Sequence, residues 1–296
     1  MENWRLIPLL QASGTMQMAI DEWLLEQHRL GKHSPALRFY TWSSPTISLG
    51  YHQRRWPASW QQLTWREIPI QLVRRPTGGR AVLHQGDLTY MVVTSELMGK
   101  RLEVYQKICE FLIEGWRSLG INLHYGTAGR GYIHNPNCFG TATGADLVTA
   151  EGYKLIGSAQ LRRGKAILQH GSIRLEPDAE LFTQVFGEEK AEGRRQKAEG
   201  CKVESNYHCL SEFGITQQGN SLIKTVVEAL TKAATDCFGV ELELQPLSDQ
   251  EWQQLKQLEI ELIEKNEEDF DTVEEVIAEY NQIHGTEFTV ENLKND

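Results

Sequence analysis

Arg74-Arg75-Pro76-Thr77-Gly78-Gly79-Arg80-Ala81-Val82-Leu83-His84 is a double-glycine turn between two short strand-like runs, with three arginines around it. Glycine lacks a Cβ, so such a turn lets backbone N–H groups come close to an anionic or acyl ligand; a plain β-turn with exposed arginines fits the same spacing. It is not a nucleotide-binding loop of either common kind. Too many residues separate Gly157 from Gly164-Lys165, and Ala166 follows where a phosphate loop needs Ser or Thr. Gly126-Thr127-Ala128-Gly129-Arg130-Gly131 does not match the dinucleotide fingerprint.

Outward from the turn, Ile70 to Arg74 and Ala81 to Leu83 read as its flanking strands, with further strands at Leu37 to Trp42, Thr46 to Leu49 and Leu88 to Thr94. Upstream, Met16, Ala19, Ile20, Trp23 and Leu24 repeat at helical spacing behind Thr15, which predicts a capped helix to Leu30. Downstream come a helix from Leu102 to Leu119, a strand at Ile121 to Tyr125 and a Gly-, Asn- and Pro-rich loop from 126 to 144, long enough to suggest function. Asp146 to Thr149 and Tyr153 to Leu161 flank Ala150-Glu151-Gly152 as a hairpin, followed by a strand from Ala166 to Leu175. Helices are expected at Asp178 to Phe186 and Ser221 to Phe238, with a charged surface loop, Gly187 to Ser205, between them and a last strand at Val240 to Leu244. Ser248 with Glu251, and Asp271 with Glu274, read as two capping boxes in an acidic helical tail. The mixed order predicts an α+β fold, a mixed β-sheet with helices packed on one face, with a catalytic domain over 1–245 and a short acidic helical C-terminal extension over 246–296.

The chain has 296 residues and a formal charge of −10, within the ordinary globular range. Residues 240 to 296 hold 17 acidic and three basic side chains, so the rest of the chain is mildly basic. That balance speaks against nucleic-acid binding and suits an acidic protein partner for the body, the tail being a solvated face or an interaction arm. No charged-then-apolar leader opens the sequence and no apolar run approaches the roughly 18 residues of a membrane span, so a cytoplasmic protein without membrane contact is expected. Five irregularly spaced cysteines argue against a disulfide framework, and none matches a metal-site spacing.

Among the cysteines, Cys109 and Cys237 fall within helical patterns as core residues, and Cys201 and Cys209 lie by the charged loop with His208. Cys138, in the long loop as Asn135-Pro136-Asn137-Cys138-Phe139-Gly140, is placed like a nucleophile. Tyr153-Lys154-Leu155-Ile156-Gly157-Ser158-Ala159-Gln160 sets one lysine in a small and apolar strand; it either faces water or enters a cleft, where its ammonium would favour the Cys138 thiolate. His84 and His170 are either acid–base residues or hydrogen-bonded core histidines.

Together the three segments resemble the biotin/lipoate protein ligase and transferase superfamily, from about Met16 to Leu244. They are most similar to its Bacillus-type octanoyltransferase branch: Arg80 stands where ligases carry a third glycine, and Cys138 precedes Lys154 with its Gly157-Ser158-Ala159-Gln160. Gln85 departs from the aspartate common after the motif histidine, and the acidic extension has no assigned counterpart. The resemblance implies a biotin/lipoate ligase-like catalytic domain that moves octanoyl from acyl carrier protein to a lysine of a lipoyl domain, such as glycine cleavage protein H or a 2-oxoacid dehydrogenase E2. Cys138 would carry the acyl group, Lys154 would lower its pKa and position the acyl carbonyl, and Arg75, Gly78, Gly79, Arg80, Ala81, His84, Gly157, Ser158, Ala159 and His170 would bind substrate. Val82, Leu83 and Ile156 would line the acyl tunnel, and Arg54, Arg55, Arg74, Arg75, Arg162, Arg163 and Lys165 would steer acidic partners. No metal or cofactor is implied; ATP and Mg belong only to the rival reading, a lipoate ligase. An amidotransferase between lipoyl domains and an inactive carrier-protein binder are the other rivals.

Overall fold

The computed structural model describes residues 2–95, 97–126, 145–187, 210 and 214–284, with 267–284 as backbone. In chain order the elements are β1 (Glu2–Ala12), α1 (Gly14–Arg29), β2 (Ala36–Trp42), β3 (Thr46–Leu49), a short 3-10 helix (Ala58–Gln62), β4 (Thr64–Trp65), β5 (Ile68–Pro69), β6 (Gln71–Arg74), β7 (Val82–His84), β8 (Asp87–Thr94) and α2 (Arg101–Ser118). They continue with β9 (His124–Tyr125), β10 (Leu147–Val148), β11 (Lys154–Arg163), β12 (Ala166–Arg174), α3 (Ala179–Phe186), α4 (Gly219–Phe238), β13 (Val240–Leu244) and α5 (Asp249–His284). The large sheet runs β13-β1-β2-β8-β12-β11-β10-β9, parallel at β13-β1-β2 and antiparallel beyond; a small sheet, β6-β3-β7, stands apart from it.

Helices cover both faces of the large sheet, not one. Along β8, Leu88, Tyr90 and Val92 face a cluster with Phe111 and Leu112 of α2 and Val226 and Leu230 of α4. Met91 and Val93 face the other way, toward Ile20 and Leu24 of α1. Strands β8 and β12 are buried at every position, the mark of a sheet enclosed on both sides.

The ends of the chain account for most departures from the expected elements. β1 carries little alternation to announce it, and its pairing with β2 slips between Ile7 and Leu10, around Pro8, which has no N–H to offer the ladder. α1 opens at Ser13, whose Oγ accepts from the Met16 N–H, so Thr15 is not the cap. The Ser248–Glu251 box forms, with Ser248 N–H donating to Glu251 Oε2 at 2.7 Å. At Asp271 and Glu274 no helix starts: α5 passes through them unbroken. The first part of α5 is not a solvated face. Its Leu255 is fully buried in the cluster built on α1, and Trp23 Nε1 donates to Gln254 Oε1 at 3.0 Å. The charged loop after Gly187 lies outside the described residues. Among the described residues no helix is long and apolar enough to cross a membrane.

Arg5 of β1 ties this helix to the sheet. Its Nη1 and Nη2 donate to the Glu251 carboxylate at 2.6 and 2.9 Å, and Nη2 and Nε donate to the carbonyls of Pro246 and Gln245. Burial works against ionisation of Glu251, but the Arg5 and Ser248 hydrogen bonds outweigh it and hold its carboxyl down at about 2, against 4.5 for a free side chain. A carboxylate with a depressed folded-state pKa stabilises the fold above its unfolded pKa and ceases to as pH falls through the folded one. Glu251→Gln is therefore expected to lose about 3 kcal/mol at neutral pH. In denaturant titrations, its deficit against the parent should shrink as pH falls from 4.5 toward about 2.

Candidate active site

The turn joining β6 to β7 is braced by its own first arginine. Arg75, 6% exposed, lies under the turn; Nη1 donates to the Ser48 carbonyl at 2.7 Å, and Nη2 to the carbonyls of Gly78 at 2.9 Å and Arg80 at 2.7 Å. Gly79 sits at φ +102°, a left-handed conformation that favours glycine. Gly50 passes so near that a Cβ there would lie 1.8 Å from the Gly79 oxygen, whereas a Cβ on Gly78 would meet nothing within 4 Å.

The open space beside Gly78 is a cavity of about 290 Å³ between the small sheet and β2, β8, β12 and β11. Met18, Trp42, Val82 and Tyr105 supply apolar wall. Asp146, just before β10, and Lys154, first in β11, come together because those strands pair: Nζ lies 2.9 Å from Oδ1, with side-chain exposures of 5% and 6%. Tyr105 of α2 donates its hydroxyl to the Ala145 carbonyl at 2.7 Å and so fixes the residue before Asp146. Burial raises the Tyr105 pKa well above the usual phenol range, so this hydroxyl keeps its proton.

Two histidine–carboxylate pairs frame the same cavity. His84 Nδ1 donates to Asp87 Oδ2 at 2.8 Å, its Nε2 faces Ser48 Oγ at 2.8 Å, and Trp42 stacks on the ring at 3.9 Å. Burial lowers the His84 pKa against the pull of Asp87, so the ring is neutral at neutral pH and Nε2 accepts from the Ser48 hydroxyl. His170 Nδ1 lies 2.7 Å from Asp21 Oδ2, and its Nε2 lies 2.6 Å from Thr77 Oγ1 within the turn. Burial opposes ionisation of Asp21, but Arg38 and His170 hold its carboxyl below the usual range. His170 of β12 thus ties Thr77 of the turn to the large sheet and to α1, and His84 of β7 ties the small sheet, through Ser48 of β3, to Asp87 of β8.

Arg75, Gly78, Gly79, Arg80, His84, Lys154, Gly157, Ser158, Ala159 and His170 all border the cavity. Ala81 does not: it is fully buried against Ile47 and Leu49. Of the apolar residues expected along an acyl tunnel, Val82 borders the cavity, while Leu83 packs into the small sheet's cluster and Ile156 into the core under α2. Cys138, Cys201, Cys209 and His208 lie outside the described residues. Cys109 is a core thiol, pushed up to about 12 by burial. Among the arginines expected to steer partners, Arg74 donates to the carbonyls of Gly50 and Gln53, and Arg163 pairs with Glu22.

Sequence reading missed Asp21, Asp87, Asp146, Ser48 and Tyr105. Only Asp87 left a signal, three residues after His84, where it supplies the carboxylate that Gln85 cannot. Gln85 instead accepts from the Asp178 N–H at 2.8 Å, at the start of α3. Among the described residues no three His, Cys, Asp or Glu side chains converge as metal ligands do.

The model of the lipoyl protein ligase A/B catalytic domain matches residues 13–234. Octanoyltransferase LipM of Carboxydothermus hydrogenoformans is 41% identical over 193 residues, covering 63% of this chain and 70% of that protein. Octanoyltransferase LipM of Kyrpidia tusciae is 35% identical over 271 residues, covering 87% and 95%. Among solved structures, a putative lipoate protein ligase from T. acidophilum with bound lipoic acid superposes with a TM-score of 0.65 at 23% identity, covering 90% of this chain and 96% of that one. The chain belongs to the lipoyl protein ligase A/B catalytic domain family. It is an enzyme, an acyltransferase, similar along most of its length to the octanoyltransferases of that family.

The packing at the turn separates two glycines. Gly50→Ala should lose about 2 kcal/mol or more of stability, because neither backbone in the clash can yield, whereas Gly78→Ala should stay within about 0.5 kcal/mol of the parent. Thermal and denaturant unfolding of the two variants checks this.

Proposed function

We propose that the enzyme transfers octanoyl from acyl carrier protein to a lysine of a lipoyl domain, such as glycine cleavage protein H or a 2-oxoacid dehydrogenase E2, in lipoate biosynthesis. The observation that carries this reading is a mostly apolar cavity, roofed by the glycine turn, with a buried lysine at one end. Lys154 is on β11 and Trp42 on β2, with β12 and β8 between them, so the cavity crosses roughly 14 Å of sheet. That length accepts a medium acyl chain laid across the strands, its carbonyl at Lys154 and its methyl end toward Trp42.

Cys138 is the acyl carrier in this reading. Its thiolate attacks the octanoyl thioester to form an acyl-enzyme, and the acceptor amine then attacks to leave an amide. Lys154 favours the thiolate and orients the carbonyl, while backbone N–H groups at Gly78-Gly79 or Gly157-Ser158 receive the oxyanion. Each exchange keeps the acyl group activated until the amide forms, so no nucleotide, metal or other cofactor is consumed. Exposed Arg54, Arg55 and Lys165 suit acidic partner proteins, and the reaction belongs in the cytoplasm with its carrier.

Intact-protein mass spectrometry with octanoyl-acyl carrier protein and no ATP tests this reading. The expected result is a hydroxylamine-sensitive octanoyl adduct on the parent, none on Cys138→Ser, and acylation at least about 100-fold slower in Lys154→Ala. Acceptor modification only with ATP and free lipoate would instead establish a ligase. Association with the carrier should slow as salt is raised; a rate independent of ionic strength would remove the steering role of the exposed basic residues.

A further inference from the structure

Among the described residues the most exposed large apolar side chain is Met98, at 86%, and Leu102, four positions on, is 55% exposed. Between them stand Lys100 and Arg101, both exposed, at the start of α2. Glu103, the acidic residue of that first turn, is folded back, its Oε2 accepting from the Lys100 N–H at 2.9 Å. Exposed apolar side chains set among cations suit an interface with an acidic protein better than contact with water. More positive charge comes from the sheet. Thr94, at the end of β8, pairs with Ile167 of β12, and Ile167 with Arg162 of β11. The β11–β12 turn, with exposed Lys165, therefore lies at the same end of the sheet, roughly 10 Å away across two strand spacings. This surface also adjoins the reaction. Arg101 borders the acyl cavity. Four residues further, about 6 Å along α2, Tyr105 holds the Ala145 carbonyl, next to Asp146 and its partner Lys154.

We propose that Met98, Lys100, Arg101 and Leu102 form the docking surface for the acyl donor, an acidic carrier protein, and that Arg101 receives the phosphodiester of its pantetheine arm. This deepens the proposed octanoyl transfer and rests on that reading for the identity of the donor. The donor's arm is anionic where it leaves the carrier and carries a thioester at its far end. A guanidinium at the rim, with the Lys154 end of the cavity just beyond it, matches both features. The acceptor lysine enters on a plain butyl chain and brings no anion for Arg101 to neutralise, so the chemistry of this surface selects the donor over the acceptor. The exposed Met98 and Leu102 supply the apolar contact that holds the carrier once charge has brought it in.

Fluorescence anisotropy of labelled holo-acyl carrier protein, its pantetheine thiol free, measures docking apart from chemistry. Met98→Glu and Lys100→Glu should each raise its Kd about tenfold. Lys224→Glu, the same charge change on the exposed side of α4, should leave it within about twofold. Arg101→Gln should weaken the holo-carrier about fivefold and leave the apo-carrier, which lacks the arm, unchanged. In Met98→Glu and Lys100→Glu, lipoyl-domain affinity and octanoyl transfer from octanoyl-pantetheine, a donor without a carrier, should match the parent. Carrier affinity unmoved in these two variants, or lowered equally for the lipoyl domain, overturns the inference and leaves the transfer reading standing. An Arg101→Gln effect equal on apo- and holo-carrier overturns the arm contact. A parent that transfers octanoyl from neither the carrier nor pantetheine overturns the transfer reading, and the donor assignment with it.

Discussion

A guanidinium, two imidazoles and two carboxylates are buried beneath one glycine turn, and each must find partners, because an uncompensated buried charge costs several kcal/mol. Arg75 meets this constraint with carbonyls of the turn and of β3. His84 meets it with Asp87 and Ser48, and His170 with Asp21 and Thr77. Asp21 in turn needs Arg38 of β2, whose Nε donates to it at 2.9 Å. Partners therefore come from α1, β2, β3, β8, β12 and the turn, and the turn closes only when all of these are in place. The cavity is what remains between a roof and a floor joined at these polar points.

This arrangement gives the two ends of the cavity different physical characters. Around Trp42 and His84, neutral hydrogen-bonded rings and stacked aromatics leave little freedom for the wall. A wall of that kind discriminates by shape, since reshaping it would break buried hydrogen bonds. Around Lys154 the dominant feature among the described residues is charge: a buried ammonium held against the Asp146 carboxylate. Preorganised charge in a site that excludes water is where electrostatic stabilisation of a reacting carbonyl is most effective.

The C-terminal segment belongs to the same mechanical unit. β13 adds to the sheet edge beside β1, and Arg5 then holds Glu251 and the carbonyls of Gln245 and Pro246, which aims α5 along α1. Ser13 and Thr15, at the N-terminus of α1, both donate to Glu259 of α5. Asn266 then accepts from the Arg74 N–H at the base of the turn. A helix that reads as acidic and solvated thus buttresses the helix and strand from which the site is built.

Much of this was legible in local pattern. Strands β3 and β13 fall where alternation and turn residues put them, and α1, α2 and α4 lie within one or two residues of their apolar repeats. The same held for the glycine turn and Lys154, because the residue types that permit a close backbone approach, or an ammonium in a small-residue strand, are local properties. Helices on both faces were not legible, since a strand's own sequence does not say what covers its second side. Nor were the roles of Asp21, Asp87 and Asp146. An aspartate on a predicted helix face or at a strand end looks like solvent-exposed polarity until its partner arrives from elsewhere in the chain: His170 lies 149 residues from Asp21. Periodicity and turn chemistry act over a few residues, whereas pairing of buried charges acts through space, and the contacts that complete this site form only once the sheet has assembled.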